Sequence, residues 1–382
     1  MYLSRWSTKM KGKYDFRFRN YHTRINMRTK RIASLDFLKF LAAILIIFHH
    51  FQGDFPYEKS FCKFSGGDVY FGYVVELFFI ISGILIGIKN QENYNTPFRV
   101  FIGKRLKRLL PMTTFSTVVF MGLVIIYKVL FGIWFSCGPL SPIMILKGLL
   151  LLYCGGALQY QNIEPNCVLW YVCVLIICYI VYWLVLFIAK HLCILPRWLF
   201  IFVIFLGIGI NAYSINLPFL NFYTSRGYMA FFLGVVMVDI YNSVKNKNLL
   251  KIGSLMVSGL LVMYAFLDTS LLFSTGMDQE LTLTFIIYPT IICVLICFPI
   301  FGKIFDNKLI KFLGNISFEM YICQYHVFMI IHILEELDII SFPRTDIGMF
   351  IVLGLVIIVS IVAYLLVERP VVKFMKTKSN KI

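Results

Sequence analysis

Leu35-Asp36-Phe37-Leu38-Lys39-Phe40-Leu41-Ala42-Ala43-Ile44-Leu45-Ile46-Ile47-Phe48-His49-His50 reads as a membrane-spanning helix, yet it carries an acid, a base and two histidines. An ionisable group inside a bilayer costs several kcal/mol on common scales, so such groups usually face a cavity and mark function. Lys39 and His50 are eleven residues apart. At about 100° per residue they fall within roughly 20° of each other on a helix, and Asp36 lies on nearly the same stripe. One face of this helix is a polar track through an apolar wall. At about 1.5 Å per residue, Lys39 and His50 stand roughly 16 Å apart, too far to touch.

The rest of the chain fits that reading. It has 382 residues, 59% of them hydrophobic and 14% charged. Apolar runs of about twenty residues recur, which defines a polytopic α-helical membrane protein. The net charge of +17 does not point to nucleic acid, because of where it sits. Residues 1–31 hold ten Lys/Arg against one acid, Asp15, and the remaining excess lies in short segments between apolar runs. That is the pattern of cytoplasmic loops. The N-terminal stretch has no apolar core and no small-residue cleavage site, so it reads as a basic cytoplasmic tail lying near anionic headgroups of the membrane lipids.

About ten spans are predicted, near 32–51, 69–88, 109–131, 167–189, 196–215, 226–243, 250–268, 281–302, 315–334 and 347–367. With the basic tail inside, the inner loops carry Lys104, Arg105, Lys107 and Arg108, then Lys190 and Arg197, then Lys245, Lys247 and Lys251, then Lys303, Lys308 and Lys311. The outer loops carry Asp54, Glu58, Asp278, Glu280, Glu335 and Glu336. The alternation predicts an all-α transmembrane bundle with both termini cytoplasmic. Residues 1–31 form a basic tail, 32–370 the membrane domain, and 371–382 a second basic tail. Ile143–Tyr153 is apolar but too short to span readily, and is expected to lie in the interface or re-enter. The ten cysteines show no CxxC pair and no Cys/His metal spacing, so no metal is predicted. Cys62 and Cys137, in outer loops, are a possible pair that the sequence does not decide.

Several groups could carry chemistry. A long ligand could bridge Lys39 and His50, and a coenzyme A thioester has that shape, with phosphates at one end and a reactive acyl group at the other. Lys39 would suit a phosphate and His50 a general base. The plain alternative is that Lys39 snorkels inward and His50 outward. His49 points about 100° away from His50 and is a supporting residue at most. Glu76, inside the second span, needs a partner. It is expected at the depth of His50, where a Glu–His pair would orient the imidazole; the plain alternative is a structural polar clamp. Ser82-Gly83, further along, permits close helix approach. Arg105 and Arg108 share a helix face and could clamp phosphates, or simply mark the cytoplasmic side. Leu169-Trp170-Tyr171 opens the fourth span, and Glu319 and His326 share a face of the ninth. Glu368-Arg369-Pro370 closes the last span, and Glu368 is expected to pair with a basic inner-loop residue. Arg226 and Asp239 are lone charges in the sixth span, each read as an interface or pairing residue rather than a catalyst.

In this order the pieces resemble the membrane-bound acyltransferase-3 family, which includes bacterial O-acetyltransferases of lipopolysaccharide, capsule and other glycans. The family's basic residue eleven positions before a histidine falls on Lys39 and His50. Its Arg-x-x-Arg falls on Arg105 and Arg108, and its Asp/Glu-Leu-Phe-Phe-x-x-Ser-Gly on Glu76–Phe79, Ser82 and Gly83. Its Leu-Trp-Tyr matches Leu169–Tyr171. Its late Gly-x-x-Ser-x-x-x-Tyr-x-x-x-x-His matches Gly314, Ser317, Tyr321 and His326, and its closing Glu-x-Pro matches Glu368 and Pro370. The likeness covers residues 31–372. Lys39 departs from the family's common Arg, keeping the charge but losing the bidentate fork. The outer loops are short and no hydrolase-like domain is appended.

The resemblance implies an O-acyltransferase of the bacterial inner membrane. It would move an acetyl group from cytoplasmic acetyl-CoA to a hydroxyl of a surface polysaccharide or lipid-linked saccharide. Lys39, Arg105 and Arg108 would hold the donor's phosphates. His50 would act on the hydroxyl or take the acyl group itself, Glu76 would orient it, and Tyr171 and His326 would line the acceptor side. A transporter or flippase of a glycan or lipid intermediate, using the same charged track, is the alternative.

Overall fold

The computed structural model describes residues 31–55, 70–135, 140–158, 166–244, scattered positions between 248 and 260, and 276–379. The possible Cys62–Cys137 pair and nearly all of the predicted span 250–268 lie outside these residues.

Every regular element described is helical. The chain opens with α1 (Ala33–Asp54). A 3₁₀ turn at Gly72–Val74 leads into α2 (Val75–Gly87), and the short α3 (Asn90–Tyr94) follows. Then come α4 (Phe98–Phe131), α5 (Pro142–Leu149), α6 (Trp170–Leu192), α7 (Pro196–Ala212) and α8 (Phe222–Val244). After the scattered positions, α9 (Met277–Thr282) runs through a π-helical turn at Leu283–Ile287 into α10 (Tyr288–Cys297). The chain ends with α11 (Pro299–Phe305), α12 (Lys308–Glu336), α13 (Asp346–Ala363), a second π-helical turn at Tyr364–Glu368, and α14 (Arg369–Ser379).

Six helical stretches are long and apolar enough to cross a membrane: Ala33–Asp54, Phe98–Phe131, Cys167–Leu192, Met277–Cys297, Lys308–Glu336 and Asp346–Phe374. Three shorter apolar helices, Gly72–Gly87, Pro196–Ala212 and Phe222–Val238, stand where three further spans are expected. The chain is a multi-pass membrane protein. Large apolar side chains such as Val129, Phe202, Phe205 and Ile358 point outward, as expected where lipid replaces water. Ala42, Ala43, Ile47 and Phe51 of α1 are wholly enclosed and belong to one continuous core.

Among the described residues, the largest difference in a helix start from the sequence reading lies at the third span; the ninth, expected from 315, also begins early, at Lys308. The helix expected from residue 109 begins at Phe98, just after Pro97, whose fixed φ suits a helix entrance. The basic cluster Lys104–Arg108 is therefore helical. Its charge gives it the look of a loop, but apolar residues (Phe101, Ile102, Leu106) interleave with the cations and make the stretch amphipathic. Ile143–Tyr153 forms one short helix and a turn that tucks inward. Tyr153 is buried, and Asn221 Nδ2 donates to the carbonyls of Cys154 and Ala157, each at 2.7 Å.

Two helix pairs position the candidate site. In the first, α2 and α8 run parallel and touch backbone to backbone. A Cβ on Gly83 would fall on the Phe231 carbonyl, and one on Gly234 on the Ile80 carbonyl. Small residues of this kind drive packing where no hydrophobic effect acts between helices. In the second, α1 and α12 also run parallel. Contacts climb both together, from Asp36 against Gly314, through His50 with Gln324, to Asp54 with His332.

Candidate active site

At the end of the bundle where α1 begins, a cavity of about 470 Å³ opens between α1, α2, α4, α6 and α12. That lies within the roughly 300–1,000 Å³ typical of small-molecule sites. Its lining carries five cations, Lys39, Lys89, Lys104, Arg105 and Arg108, against two carboxylates, Glu92 and Glu368. The expected Lys39, Arg105 and Arg108 are thus brought to one site, and Lys89 and Lys104 join them.

These cations differ in how they are held. Lys39 Nζ is ion-paired to Asp36 at 2.7 Å. Asp36 is held from its other side by Arg31, whose Nη2 also donates to the Lys311 carbonyl at 2.6 Å and to Asn315 Oδ1 at 2.8 Å. Arg105 donates to the Phe101 carbonyl at 2.9 Å and to Asn93 Oδ1 at 3.2 Å, and lies over the Phe101 ring. Among the described residues, the side chains of Lys89, Lys104 and Arg108 have no hydrogen bond or ion pair, and all three are exposed. Glu368, expected to pair with an inner-loop base, makes no ion pair within the described residues either. It shares the cavity with Arg108 instead.

Tyr171, expected on the acceptor side, stands in this basic cavity. Its hydroxyl lies 3.5 Å from Ser82 Oγ. Its ring packs at 4.6 Å on Phe79 and 5.3 Å on Tyr321. The aromatic wall of Tyr171, Tyr321 and Phe78 closes one side of the cavity.

His50 lies further along α1, half-buried. Its Nδ1 is 3.0 Å from Gln324 Oε1 on α12, and its ring packs 5.2 Å from Tyr325. His49 faces another way, with its ring edge to face on Tyr70 at 4.8 Å.

Glu76 does not orient His50. It forms a buried ion pair with Arg226 of α8, whose Nε and Nη2 both donate to the carboxylate, Nη2 at 3.0 Å from Oε2. Arg226 Nη2 also donates to the Gly72 carbonyl at 2.6 Å. The guanidinium lies 4.9 Å from the Trp170 ring centre and 5.4 Å from that of Tyr73. Arg226 is therefore a pairing residue, one of the two roles the sequence leaves open for it, and Glu76 is its partner. The pair and the glycine contacts clamp α2 to α8, and the bidentate geometry suits a buried carboxylate better than a single imidazole would. Asp239 lies in α8.

His326 is enclosed rather than open to a substrate. Its Nε2 donates to the Ser116 carbonyl of α4 at 2.8 Å, and the Phe120 ring meets it edge to face. It does not line the basic cavity.

The sequence reading missed Gln324, Lys89, Lys104, Asn93 and Arg31. For Gln324 a signal existed: an amide in mid-span, three residues after Tyr321, on the face that meets α1.

The described helices form a membrane-embedded bundle with a cationic cavity and a half-buried histidine on one inner helix. The chain belongs to the acyltransferase-3 family: the family profile described as an acyltransferase domain matches residues 32–367. No curated protein and no solved structure compared with the chain matches it. The family membership makes this an acyl-transferring membrane protein.

Proposed function

We propose that the chain transfers an acetyl group from cytoplasmic acetyl-CoA to a hydroxyl of a surface glycan or its lipid-linked precursor, in the inner membrane of a bacterium. The observation that carries this reading is the cavity's cation excess. Arg108, Lys89 and Lys104 have no partner of their own among the described residues, and a polyanionic donor would supply one. Lys39 and Arg105, already engaged, hold the cavity's shape and add field.

The same two helices that border this cavity, α1 and α12, hold His50. In one route the acceptor oxygen attacks the thioester carbonyl while His50 Nε2 takes the hydroxyl proton. The C–S bond breaks, and the imidazolium returns the proton to the leaving thiolate. In the other, Nε2 attacks the thioester itself and the C–S bond breaks, releasing coenzyme A as its thiolate. The acceptor hydroxyl then attacks the acyl-imidazole, the C–N bond breaks to free His50, and the hydroxyl proton passes to the thiolate. Both need Nε2 unprotonated and open.

The test is the mass spectrum of surface glycan from cells lacking the native gene and carrying the intact chain or its His50→Ala form. The reading expects the mass increment of one acetyl group with the intact chain only. An increment with both forms removes His50 from the mechanism. No increment with either, together with altered glycan export, favours transport.

A further inference from the structure

Gln324 is fully buried, and both ends of its amide are engaged. Its Nε2 lies 2.7 Å from the backbone carbonyl of Tyr321, and its Oε1 lies 3.0 Å from Nδ1 of His50. A carbonyl oxygen only accepts, so the amide group must present its NH₂ to Tyr321. Flipping the amide would set two acceptors 2.7 Å apart, which the contact forbids. The oxygen therefore faces His50, and an amide oxygen only accepts. The nitrogen opposite it must carry a hydrogen.

This chain of donors and acceptors decides the state of the imidazole. A neutral histidine has one N–H and one lone pair. With the hydrogen on Nδ1, the lone pair stands on Nε2. Among the described residues Nε2 of His50 makes no hydrogen bond, whereas Nδ1 does. His50 itself is half-buried rather than sealed. We propose that Gln324 is the positioning residue of this enzyme: it holds His50 as the Nδ1–H tautomer and leaves Nε2 as the reacting nitrogen. The proposal rests on the reading of His50 as the residue that acts on the acyl transfer. It replaces the carboxylate orienter expected at Glu76 with a neutral amide. The other polar groups near His50 are His49 and Asp54 on its own helix and Tyr325 on α12. Asp54 is hydrogen-bonded to His332 at 3.1 Å, and no hydrogen bond joins His49 or Tyr325 to the His50 ring among the described residues.

The geometry also links the two halves of the site. Tyr321 forms part of the cavity's aromatic wall, and its carbonyl anchors Gln324. The route from donor cavity to imidazole is thus one turn of α12.

The test uses the purified full-length chain in lipid nanodiscs, labelled with ¹⁵N in the histidine rings, alongside Gln324→Leu and Gln324→Glu. The chain has six histidines, and His50→Ala assigns the His50 signals. The proposal expects a protonated Nδ1 and an unprotonated Nε2 for His50 in the parent. In Gln324→Leu that pattern is lost while the other histidine signals stay, which shows the fold is intact. With labelled acetyl-CoA as donor and membranes from the host as the source of acceptor, Gln324→Leu should lose about 10- to 100-fold in kcat, the usual scale for a lost orienting partner. Its KM for acetyl-CoA should not change. Gln324→Glu should recover most of kcat. A protonated carboxyl donates to the Tyr321 carbonyl and accepts from Nδ1–H, and an ionised one still accepts.

An unchanged tautomer and kcat in Gln324→Leu overturns the proposal, as does equal damage in both variants. The tautomer spectrum needs no acceptor and no turnover. If the parent shows the expected tautomer but transfers no acetyl group, the functional reading fails while the structural assignment stands.

Discussion

Two of the charged regions inside this bundle are built on opposite terms. The Glu76–Arg226 pair is closed. Its carboxylate is fully buried, Arg226 Nε and Nη2 both donate to it, and aromatic rings flank the guanidinium. The basic cavity is open. It gathers five cations against two carboxylates and leaves Lys89, Lys104 and Arg108 without a protein partner among the described residues. Intramembrane charge alone does not mark a catalytic residue. Charge paired within the protein holds helices together, and under the proposed function the exposed charge of the cavity is what meets the donor.

The comparison breaks first at His50, where the largest effect is expected. His50→Ala should lower acetyl transfer by roughly 10²- to 10⁴-fold, the range of a lost general base. It should lower thermal stability less than Arg226→Ala does, because His50 makes one hydrogen bond among the described residues and its loss leaves a neutral amide oxygen, not a charge, without its donor. A Tm scan beside a transfer assay checks both halves.

Arg226→Ala should act the other way. Removing one member strands a buried carboxylate, which costs about 3–5 kcal/mol. Unfolding in detergent should shift accordingly, and any loss of activity should follow the loss of folded protein. The double change Glu76→Gln with Arg226→Met should be milder than Arg226→Ala, since no uncompensated charge remains. A double variant as damaged as the single one would move this pair into the chemistry.

Smaller effects belong to the cavity. Arg108→Gln should raise KM for acetyl-CoA about tenfold with kcat unchanged, the scale of one partly solvated charge-assisted contact. Lys104→Gln, which removes a point charge without a bidentate fork, should raise KM only about two- to threefold. Both effects should shrink in high salt, since both side chains are exposed and screening weakens exposed contacts. Steady-state kinetics at two ionic strengths checks the order and the salt dependence.

Much of this is legible in the sequence. Apolar runs show the helices, and the Lys39–His50 spacing by itself places two polar groups on one stripe. Arg105 and Arg108 are legible as a helical pair facing one way. Glu76 is legible as a carboxylate needing a partner, but its partner is not. Arg226 lies 150 residues away and meets it only because Gly83 and Gly234 let α2 and α8 touch. Nothing local to either residue encodes that crossing. Gln324 escapes notice for a different reason. A neutral amide in a span does not stand out as a charge does, and its role appears only when α12 lies parallel to α1. His326 draws attention as a histidine, yet its bond to the Ser116 carbonyl makes it a tie between α12 and α4.

The most direct test of the open-against-closed distinction is equilibrium binding of coenzyme A to the purified chain, compared with Arg108→Gln and His50→Ala. The expected result is binding to the parent, equal binding to His50→Ala, and about tenfold weaker binding to Arg108→Gln. Equal affinity in all three forms would contradict the distinction, because the cations of the cavity would then have no part in holding the donor.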